Sequence, residues 1–260
     1  MLPKMFRKSS STPYPVNLKG RDVAAEKSAV TAKGAAVFDE VAYQEINRAR
    51  LAHLDSLQLG LEGRTVLDVG TGVGDLTGHF LAKGCAVTCV EGRAENVEVL
   101  KQRFPGIPAH VANVETDPLA RLGRFQIVFG YGLLYHLESP VAALRNMASV
   151  CDGLMLLETM ICDCDEPVMR LIDETFQYSQ ALDGIGCRPS PSFITLALLR
   201  VGFPHVYAPK HPPEHPHFQF RWRNNLESRR NKIPLRAIFV ASRTPLDDNP
   251  NLVSLVGHGK

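Results

Sequence analysis

The stretch TVLDVGTGVGDLTGHF, residues 65–80, decides the fold of this chain. Its first five residues are mostly apolar or β-branched, which predicts a short strand that carries Asp68. Glycines then alternate with other residues directly before an expected helix, at Gly70, Gly72 and Gly74. Because glycine weakens regular structure, this cluster predicts backbone that takes a positive φ or passes very close to a ligand.

The composition is that of an ordinary globular domain. The chain has 260 residues, of which 45% are apolar and 22% charged, and this is enough for one sizeable α/β domain. A net charge of +2 gives no support for nucleic-acid binding. No uninterrupted apolar run approaches the length of about 18 residues that a membrane-spanning helix needs, so we expect no membrane partner.

The six cysteines form no C-x-x-C pair. This usage predicts reduced thiols in a cytoplasmic protein rather than a disulfide framework. Cys162 and Cys164 lie one residue apart in ICDCDE, but a metal site would need a second pair of ligands. We therefore predict no metal at this position.

The pattern divides the chain into three parts. Residues 1–34 begin with a basic, Ser/Pro-rich stretch without the apolar segment of a secretory signal. We expect a disordered arm there, with a transit peptide as the alternative. One domain should follow over residues 35–246, with an insertion near residues 160–190. Residues 247–260 should form a C-terminal tail.

Short apolar runs alternate with helical patterns after a first helix that ends near Gly60. The expected strands are Thr65–Val69, Ala86–Glu91, His110–Ala112, Phe125–Phe129, Met155–Thr159, His205–Ala208 and residues 235–242. The expected helices cover about residues 75–83, 93–103 and 140–150, and PSFITLALLRVGF reads as a further helix that runs into Gly202. Such alternation predicts a doubly wound α/β fold, in which helices cover both faces of a mostly parallel sheet.

A strand, a glycine turn and a helix together place a ligand at the helix N-terminus and at the carboxyl edge of a sheet. The spacing differs from the G-x-G-x-x-G of dinucleotide folds, and Glu91 closes the next strand 21 residues after Gly70. A carboxylate there can accept hydrogen bonds from both hydroxyls of a ribose, each worth roughly 1.5–3 kcal/mol. The pattern favours an adenosine ligand other than NAD over a tight turn without a ligand.

VLDVGTGVG and VTCVEG resemble the first two motifs of the class I S-adenosylmethionine-dependent methyltransferases. The resemblance extends over about residues 62–245 and implies S-adenosylmethionine as the cofactor. It also implies a Rossmann-like sheet of seven strands whose last strand is antiparallel.

The resemblance further implies which residues contact the cofactor. Gly70 and Gly72 would line its methionine part, and Asp68 would organise the loop and the cofactor's amino group. Glu91 would hold the ribose. Asn113 stands where the family commonly has an aspartate, and its side-chain oxygen can accept the hydrogen bond of the adenine amine. The full predicted set is Asp68, Gly70, Gly72, Gly74, Glu91, Gly92, Arg93, Asn113, Val114, Glu115 and Tyr131.

Tyr131, Tyr135 and His136 crowd the segment after the fourth strand, which faces the reactive methyl group in this superfamily. Aromatic walls favour a cation, and an imidazole with a pKa near neutrality can take the proton of an attacking hydroxyl. His136 is therefore the candidate general base, with Glu158 in reserve. The alternative is that these side chains only pack the turn.

YGLLYHLESP, LLETMICD, RPSPSFITLALLRVGF and LRAIFVASR resemble segments of the tRNA uridine carboxymethyltransferases and their relatives. By that match Tyr131 and Tyr135 face the cofactor, Arg236 reaches the site from the last strand, and RPSPSF forms part of the acceptor wall. The predicted catalytic residues are thus His136, Tyr135 and Arg236.

One departure from the tRNA enzymes affects the predicted substrate. Those enzymes carry a Trp- and Lys-rich segment before the first motif, whereas residues 30–50 here contain no tryptophan. We therefore expect ordinary S-adenosylmethionine and O-methylation of a small-molecule or sugar-like hydroxyl. The alternatives are tRNA wobble-uridine (carboxy)methylation and non-catalytic binding of the cofactor.

A Pro/His-rich loop precedes the last strand. Its histidines, His211, His215 and His217, could bind a metal together with Glu214, but the intervening prolines favour an extended, exposed loop. The loop would otherwise cover the acceptor with its aromatic residues or form plain surface. Its cationic end would meet an anionic acceptor or be solvated.

Overall fold

The computed structural model describes residue 38 and residues 40–174, 180–220 and 234–256. The expected arm at residues 1–34, Trp222 and the cationic end of the histidine loop therefore lie outside the described residues. Within the described part, no helix is both long enough and apolar enough to cross a membrane.

Helix boundaries follow the local signals in the sequence. The described residues form the α-helices α1 (Val41–Ser56), α2 (Thr77–Ala82), α3 (Ala94–Arg103), α4 (Pro140–Ser149) and α5 (Pro191–Arg200). Helix α5 begins with a proline, whose missing N–H costs nothing in the first turn. Ser190 caps it by accepting the Phe193 N–H at 3.1 Å. A short 3₁₀ turn, Leu134–His136, precedes α4.

The described strands are β1 (Thr65–Val69), β2 (Ala86–Glu91), β3 (Ala109–Val111), β4 (Phe125–Tyr131), β5 (Cys151–Met160), β6 (Met169–Asp173), β7 (Ile185–Pro189), β8 (His205–Pro209), β9 (Arg236–Ser242) and β10 (Leu252–Ser254). Eight of them form one sheet in the order β10-β8-β9-β5-β4-β1-β2-β3. Strands β6 and β7 pair in a separate antiparallel hairpin, which lies in the predicted insertion.

The predicted mostly parallel sheet is confirmed. Strands β1 to β5 pair in parallel, and β9 pairs antiparallel with both β5 and β8. The sheet has eight strands rather than the predicted seven, because Leu252–Ser254, in the expected C-terminal tail, pairs with β8. Strand β4 also continues to Tyr131, two residues beyond the prediction, because Gly130 and Tyr131 still pair with β5.

Alternating side chains of the strands build two cores, one on each face of the sheet. Val66 of β1 belongs to the core under α1, α2 and α3, which contains Leu54, Phe80 and Leu100. Leu67 and Val69 belong to the opposite core, under α4 and α5. Both faces are therefore covered, and the carboxyl ends of the parallel strands remain free to form a site.

Candidate active site

A cavity lies at the carboxyl edge of the central strands, where β1, β2 and β4 end. The volume open to water is about 260 Å³, far more than the roughly 10–15 Å³ that one water molecule needs. Predicted site residues that line it are Gly70, Gly72, Glu91, Gly92, Asn113, Val114, Tyr131, Tyr135 and His136. Predicted residues outside its lining are Asp68, Gly74, Arg93, Glu115 and Arg236. The prediction thus contains residues that face the cavity and residues that support its walls.

Asp68 supports the glycine turn. Its side chain is 2% exposed, and Oδ2 accepts the hydroxyls of Thr71 at 2.9 Å and Thr77 at 2.7 Å. Burial raises its pKa to about 6. The geometry fits the predicted role in organising the loop, but not a contact with a cofactor's amino group, because the carboxylate lies outside the cavity lining.

Two glycines of the turn are required for different reasons. Gly72 has φ +56° and lines the cavity, and a Cβ at this position would lie 2.8 Å from the ring of Phe38. Gly74 has φ +88°, and its Cβ would lie 2.4 Å from Cδ1 of Leu100 in α3. This glycine therefore packs the turn against α3 outside the cavity lining, and its predicted cofactor contact stays a prediction.

Glu91 faces the cavity from the end of β2, and its carboxylate already holds the neighbouring backbone. Oε2 accepts the Gly72 N–H at 2.9 Å, and Oε1 accepts the Arg93 N–H at 3.0 Å and the Asn96 amide at 3.4 Å. A carboxylate has about four acceptor positions. The geometry therefore leaves about one for a ligand, rather than the two that a double ribose contact requires.

The insertion folds over the end of β2. A Cβ on Gly92 would lie 2.7 Å from Cδ1 of Leu182, which also lines the cavity. The side chain of Arg93 turns away and donates from Nη2 to the Ala181 carbonyl at 3.1 Å. This side chain therefore anchors the insertion, and the predicted cofactor contact of Arg93 stays a prediction.

Asn113 lines the cavity after β3, as predicted, with its side-chain oxygen partly used. Oδ1 accepts the Glu115 N–H at 2.9 Å, and one lone pair remains. Glu115 points elsewhere, because its carboxylate accepts the backbone N–H of Ser139 at the start of α4. The side chain of Glu115 therefore lies outside the cavity lining, and its predicted cofactor contact stays a prediction.

Tyr131 brings an unpaired hydroxyl to the cavity from the end of β4. The residue is 5% exposed, and its hydroxyl has no hydrogen-bond partner among the described residues. Burial raises the pKa of this phenol, so the group is neutral. A buried hydroxyl without a partner is typical of a site that a ligand completes.

A buried ion network lies beside the two tyrosines. Glu158 is fully buried and accepts Arg50 Nη2 at 2.5 Å and Arg236 Nη1 at 2.9 Å. Burial alone would raise the pKa of this carboxyl, but Arg236 and Arg50 hold it below its ordinary value. Glu158 is therefore excluded as a reserve base, because it is a permanently paired anion outside the cavity lining.

Tyr135 packs against two guanidinium groups. Arg236 donates from Nη2 to the Tyr135 hydroxyl at 3.3 Å, and its Cζ lies 4.8 Å from the ring centroid. Cζ of Arg188, a residue that lines the cavity, lies 5.4 Å from the same centroid. Arg236 thus holds Tyr135 and does not itself line the cavity, so its predicted catalytic role stays a prediction.

His136 is held by one ring nitrogen. Its Nδ1 lies 2.6 Å from Oε2 of Glu174, and Oε1 of Glu174 accepts Arg188 Nη1 at 3.1 Å. With a neutral ring, Nδ1 therefore carries the hydrogen and Nε2 is the free acceptor. Burial lowers the pKa of His136, against the opposing effect of Glu174, so the imidazole is neutral near pH 7. A neutral imidazole that lines a cavity is suited to accept a proton.

Sequence reasoning missed three residues of the site and included a fourth only within a segment. Phe38, just before α1, and Tyr43, in the first turn of α1, line the cavity, and no motif marks them. Glu174 follows β6, and its role depends on the hairpin's position. Arg188 was included only as the first residue of RPSPSF, the segment assigned to the acceptor wall.

The structure gives no support for a metal at the histidine loop. No group of three or more His, Cys, Asp or Glu side chains in the described residues is placed to hold an ion. The His211 carbonyl bonds His53 Nε2 at 2.8 Å, and the His215 and His217 rings pack with centroids 4.6 Å apart. The six cysteines are buried and unpaired with one another.

Comparisons with known proteins agree with this architecture. The model of a family described as "Methyltransferase domain" matches residues 42–208. The tRNA U34 carboxymethyltransferase of Idiomarina loihiensis is 30% identical over 177 residues, which are 61% of this chain and 50% of that protein. The enzyme of the same name from Azotobacter vinelandii is 32% identical over 157 residues, 57% of this chain and 48% of that protein. The chain thus spans about half the length of these curated relatives.

Solved structures support the fold. The N-terminal domain of EvdMO1, in the presence of SAH and D-fucose, matches with a TM-score of 0.57 and 23% identity, over 75% of this chain and 81% of that one. Magnesium protoporphyrin IX methyltransferase from Synechocystis PCC 6803, with bound SAM, matches with a TM-score of 0.55 and 16% identity, over 88% and 100% of the two chains. At these identities the likeness concerns the fold alone.

Proposed function

Because this chain belongs to the class I S-adenosylmethionine-dependent methyltransferases, we propose that it methylates a neutral hydroxyl group on a small-molecule or sugar-like acceptor. The observation that carries this proposal is the His136 imidazole at the cavity, anchored through Nδ1 with Nε2 left as an acceptor. A hydroxyl must lose its proton as it attacks, and a neutral imidazole is suited to take it.

The residues around the cavity fit S-adenosylmethionine. Glu91 retains about one acceptor position for a ribose hydroxyl, and the side chain of Asn113 retains a lone pair for the adenine amine. The Tyr131 hydroxyl is a buried polar group without a partner in the described residues. Such convergent polar groups between apolar walls are typical of a small-molecule site.

The bound cofactor would supply a methyl group on a positively charged sulfur. The protein's own contribution is to orient the acceptor, exclude water and remove one proton. His136 Nε2 takes the proton of the acceptor hydroxyl, and Nδ1–H stays bonded to Glu174. Tyr135, held by Arg236, forms an aromatic wall next to His136, with ring centroids 4.1 Å apart.

A second candidate is carboxymethylation of a tRNA uridine. Arg50 and Arg236 both pair with Glu158. Two positive charges thus face one negative charge beside Tyr135. An anionic carboxylate on the transferred group would find favourable electrostatics there. The curated relatives are also named tRNA U34 carboxymethyltransferases. This candidate needs carboxylated S-adenosylmethionine and tRNA in place of the ordinary cofactor and a small acceptor.

The experiment compares the two cofactors on the same purified protein. S-adenosylhomocysteine formation is followed with ordinary or carboxylated S-adenosylmethionine, each with phenols, sugars or unmodified tRNA as the acceptor. Our proposal predicts turnover with the ordinary cofactor and a small hydroxyl compound. Turnover only with the carboxylated cofactor and tRNA would establish the second candidate. Tight S-adenosylhomocysteine binding in calorimetry without any turnover would support a non-catalytic binding protein.

A further inference from the structure

Glu174 is a buried carboxylate that the insertion delivers to the candidate base. It is 1% exposed, and it follows β6 directly. Its backbone N–H donates to the Gly184 carbonyl at 2.8 Å, which holds the backbone of Glu174 next to the start of β7. Oε2 lies 2.6 Å from His136 Nδ1, and Oε1 accepts Arg188 Nη1 at 3.1 Å and Nη2 at 3.2 Å. Both oxygens are thus engaged with side chains of the site.

Strand β7 lies close against the turn that carries His136. A Cβ on Gly186 would lie 2.4 Å from the Tyr135 carbonyl oxygen and 2.7 Å from Cδ of Glu174. The next residue, Cys187, donates from Sγ to the Leu134 carbonyl at 3.2 Å. Glycine at position 186 therefore allows the hairpin, the turn and the carboxylate to meet in one place.

We propose that Glu174 and Arg188 are positioning residues, through which the β6–β7 hairpin fixes His136 with Nδ1–H bonded to Glu174 and Nε2 open to the cavity. This inference rests on the proposed role of His136 as the base. It gives the insertion a function that sequence motifs do not assign, because neither residue belongs to a cofactor motif.

The charges explain why two residues are needed. A buried carboxylate facing His136 alone would favour the imidazolium, which cannot act as a base. Arg188 pairs with Glu174 and offsets this effect, and burial then holds the pKa of His136 below its ordinary value. The groups that face the imidazole are Glu174, Arg188, Arg236 and the ring of Tyr135. The arrangement keeps His136 oriented by an anion and still neutral.

The two substitutions should move the pKa of His136 in opposite directions. Glu174→Gln removes the anion but keeps an oxygen that can accept Nδ1–H, and it leaves Arg188 unpaired, so the pKa should fall further. Arg188→Gln leaves the carboxylate uncompensated, so the pKa should rise. The shift in Glu174→Gln should be about one unit or more, as for a charge lost at contact distance. A purely structural role would instead expose the ring and bring both values toward the ordinary value of about 6.5.

The measurement is nitrogen-15 NMR of the histidine rings in the ligand-free protein, titrated over pH. Wild type should show His136 as the Nδ1–H tautomer. Glu166→Gln is the matched control, since Glu166 is an exposed carboxylate of the insertion and should leave the titration unchanged. Because no cofactor or acceptor is present, the result does not depend on whether the proposed reaction is correct.

The rate of S-adenosylhomocysteine formation gives a second readout with an accepted hydroxyl compound. Glu174→Gln should lower the plateau rate by at least about tenfold, and by no more than the roughly 10²–10⁴-fold that a general base contributes. Arg188→Gln should move the rising limb to higher pH, in step with the NMR titration. Shifts of the same sign in both variants, or an Nε2–H tautomer in wild type, would overturn the positioning role. If the NMR titrations show the expected pKa shifts but no acceptor is turned over, only the proposed function would be overturned.

Discussion

The two ends of the cavity are built in different ways. At the cofactor end, after β1 and β2, polar groups bond to residues nearby in sequence. Asp68 bonds to Thr71 and Thr77, and Glu91 bonds to Gly72, Arg93 and Asn96, all within 19 residues. At the acceptor end, after β4, the partners are distant in the chain. Arg50 and Glu158 are 108 residues apart, and Tyr135 and Arg236 are 101 apart.

This difference separates what a motif encodes from what the whole fold must assemble. The cofactor end uses backbone N–H groups and hydroxyls, so its charges are held by short-range geometry. The acceptor end holds buried charged side chains, which are expensive unless all partners arrive together. We therefore expect the largest losses on substitution at the acceptor end and smaller, more local losses at the cofactor end.

Glu158→Gln should have the largest effect on stability. It leaves Arg50 and Arg236 buried without a counter-charge, so the free energy of unfolding should fall by about 3–5 kcal/mol. Urea denaturation measures this loss. Asp152→Asn is the control, because Asp152 pairs with Arg124 at the surface, where such pairs contribute about 1 kcal/mol or less. Equal, small losses in both variants would show that the buried network is not a stability determinant.

Asp68→Asn should change how stability depends on pH. The native pKa of about 6 lies above the reference value of 3.8, so the folded protein binds this proton more tightly. The stabilisation is complete below about pH 4 and is lost as pH rises through about 6, a change of roughly 2–3 kcal/mol. Wild type should therefore lose that amount relative to Asp68→Asn between pH 4 and pH 7. Parallel stability curves from urea titrations would contradict the raised pKa.

Glu91→Ala tests how much Glu91, at the cofactor end, contributes to the affinity for the ligand. The variant should bind S-adenosylhomocysteine at least about 1.5 kcal/mol more weakly, the value of one hydrogen bond to a charged group. Calorimetry checks this prediction. Glu98→Ala is the control, since Glu98 lies in the following helix, α3, and its side chain is 71% exposed. Equal affinities in wild type and Glu91→Ala would remove Glu91 from the cofactor site.

The same difference explains what could be read from the sequence. The α/β fold and a ligand site with Gly70 and Glu91 follow from a strand, a glycine turn and a carboxylate at fixed spacing, whereas the place of Asn113 came from the family resemblance. For Gly74 the motif shows that glycine is required but not whether a ligand or the close packing on Leu100 requires it.

The acceptor end was harder to predict for a physical reason. The partnership of His136 with Glu174 depends on where the β6–β7 hairpin lies, and no periodicity reports that position. The resemblance predicts that Arg236 reaches the site, and in the structure its side chain contacts Glu158 and Tyr135 without lining the cavity. The identity of a residue in a motif did not show whether its side chain lines the cavity or supports a side chain that does.

The most direct test is the pH dependence of S-adenosylhomocysteine formation by wild type and His136→Gln, with a neutral hydroxyl acceptor of known pKa. In wild type the rate should rise through a pKa below the ordinary histidine value and then level off, because only the neutral imidazole accepts the proton. His136→Gln should bind S-adenosylhomocysteine normally, lose roughly 10²–10⁴-fold in turnover per folded molecule and lack that step. Unchanged turnover in His136→Gln would contradict base catalysis by His136.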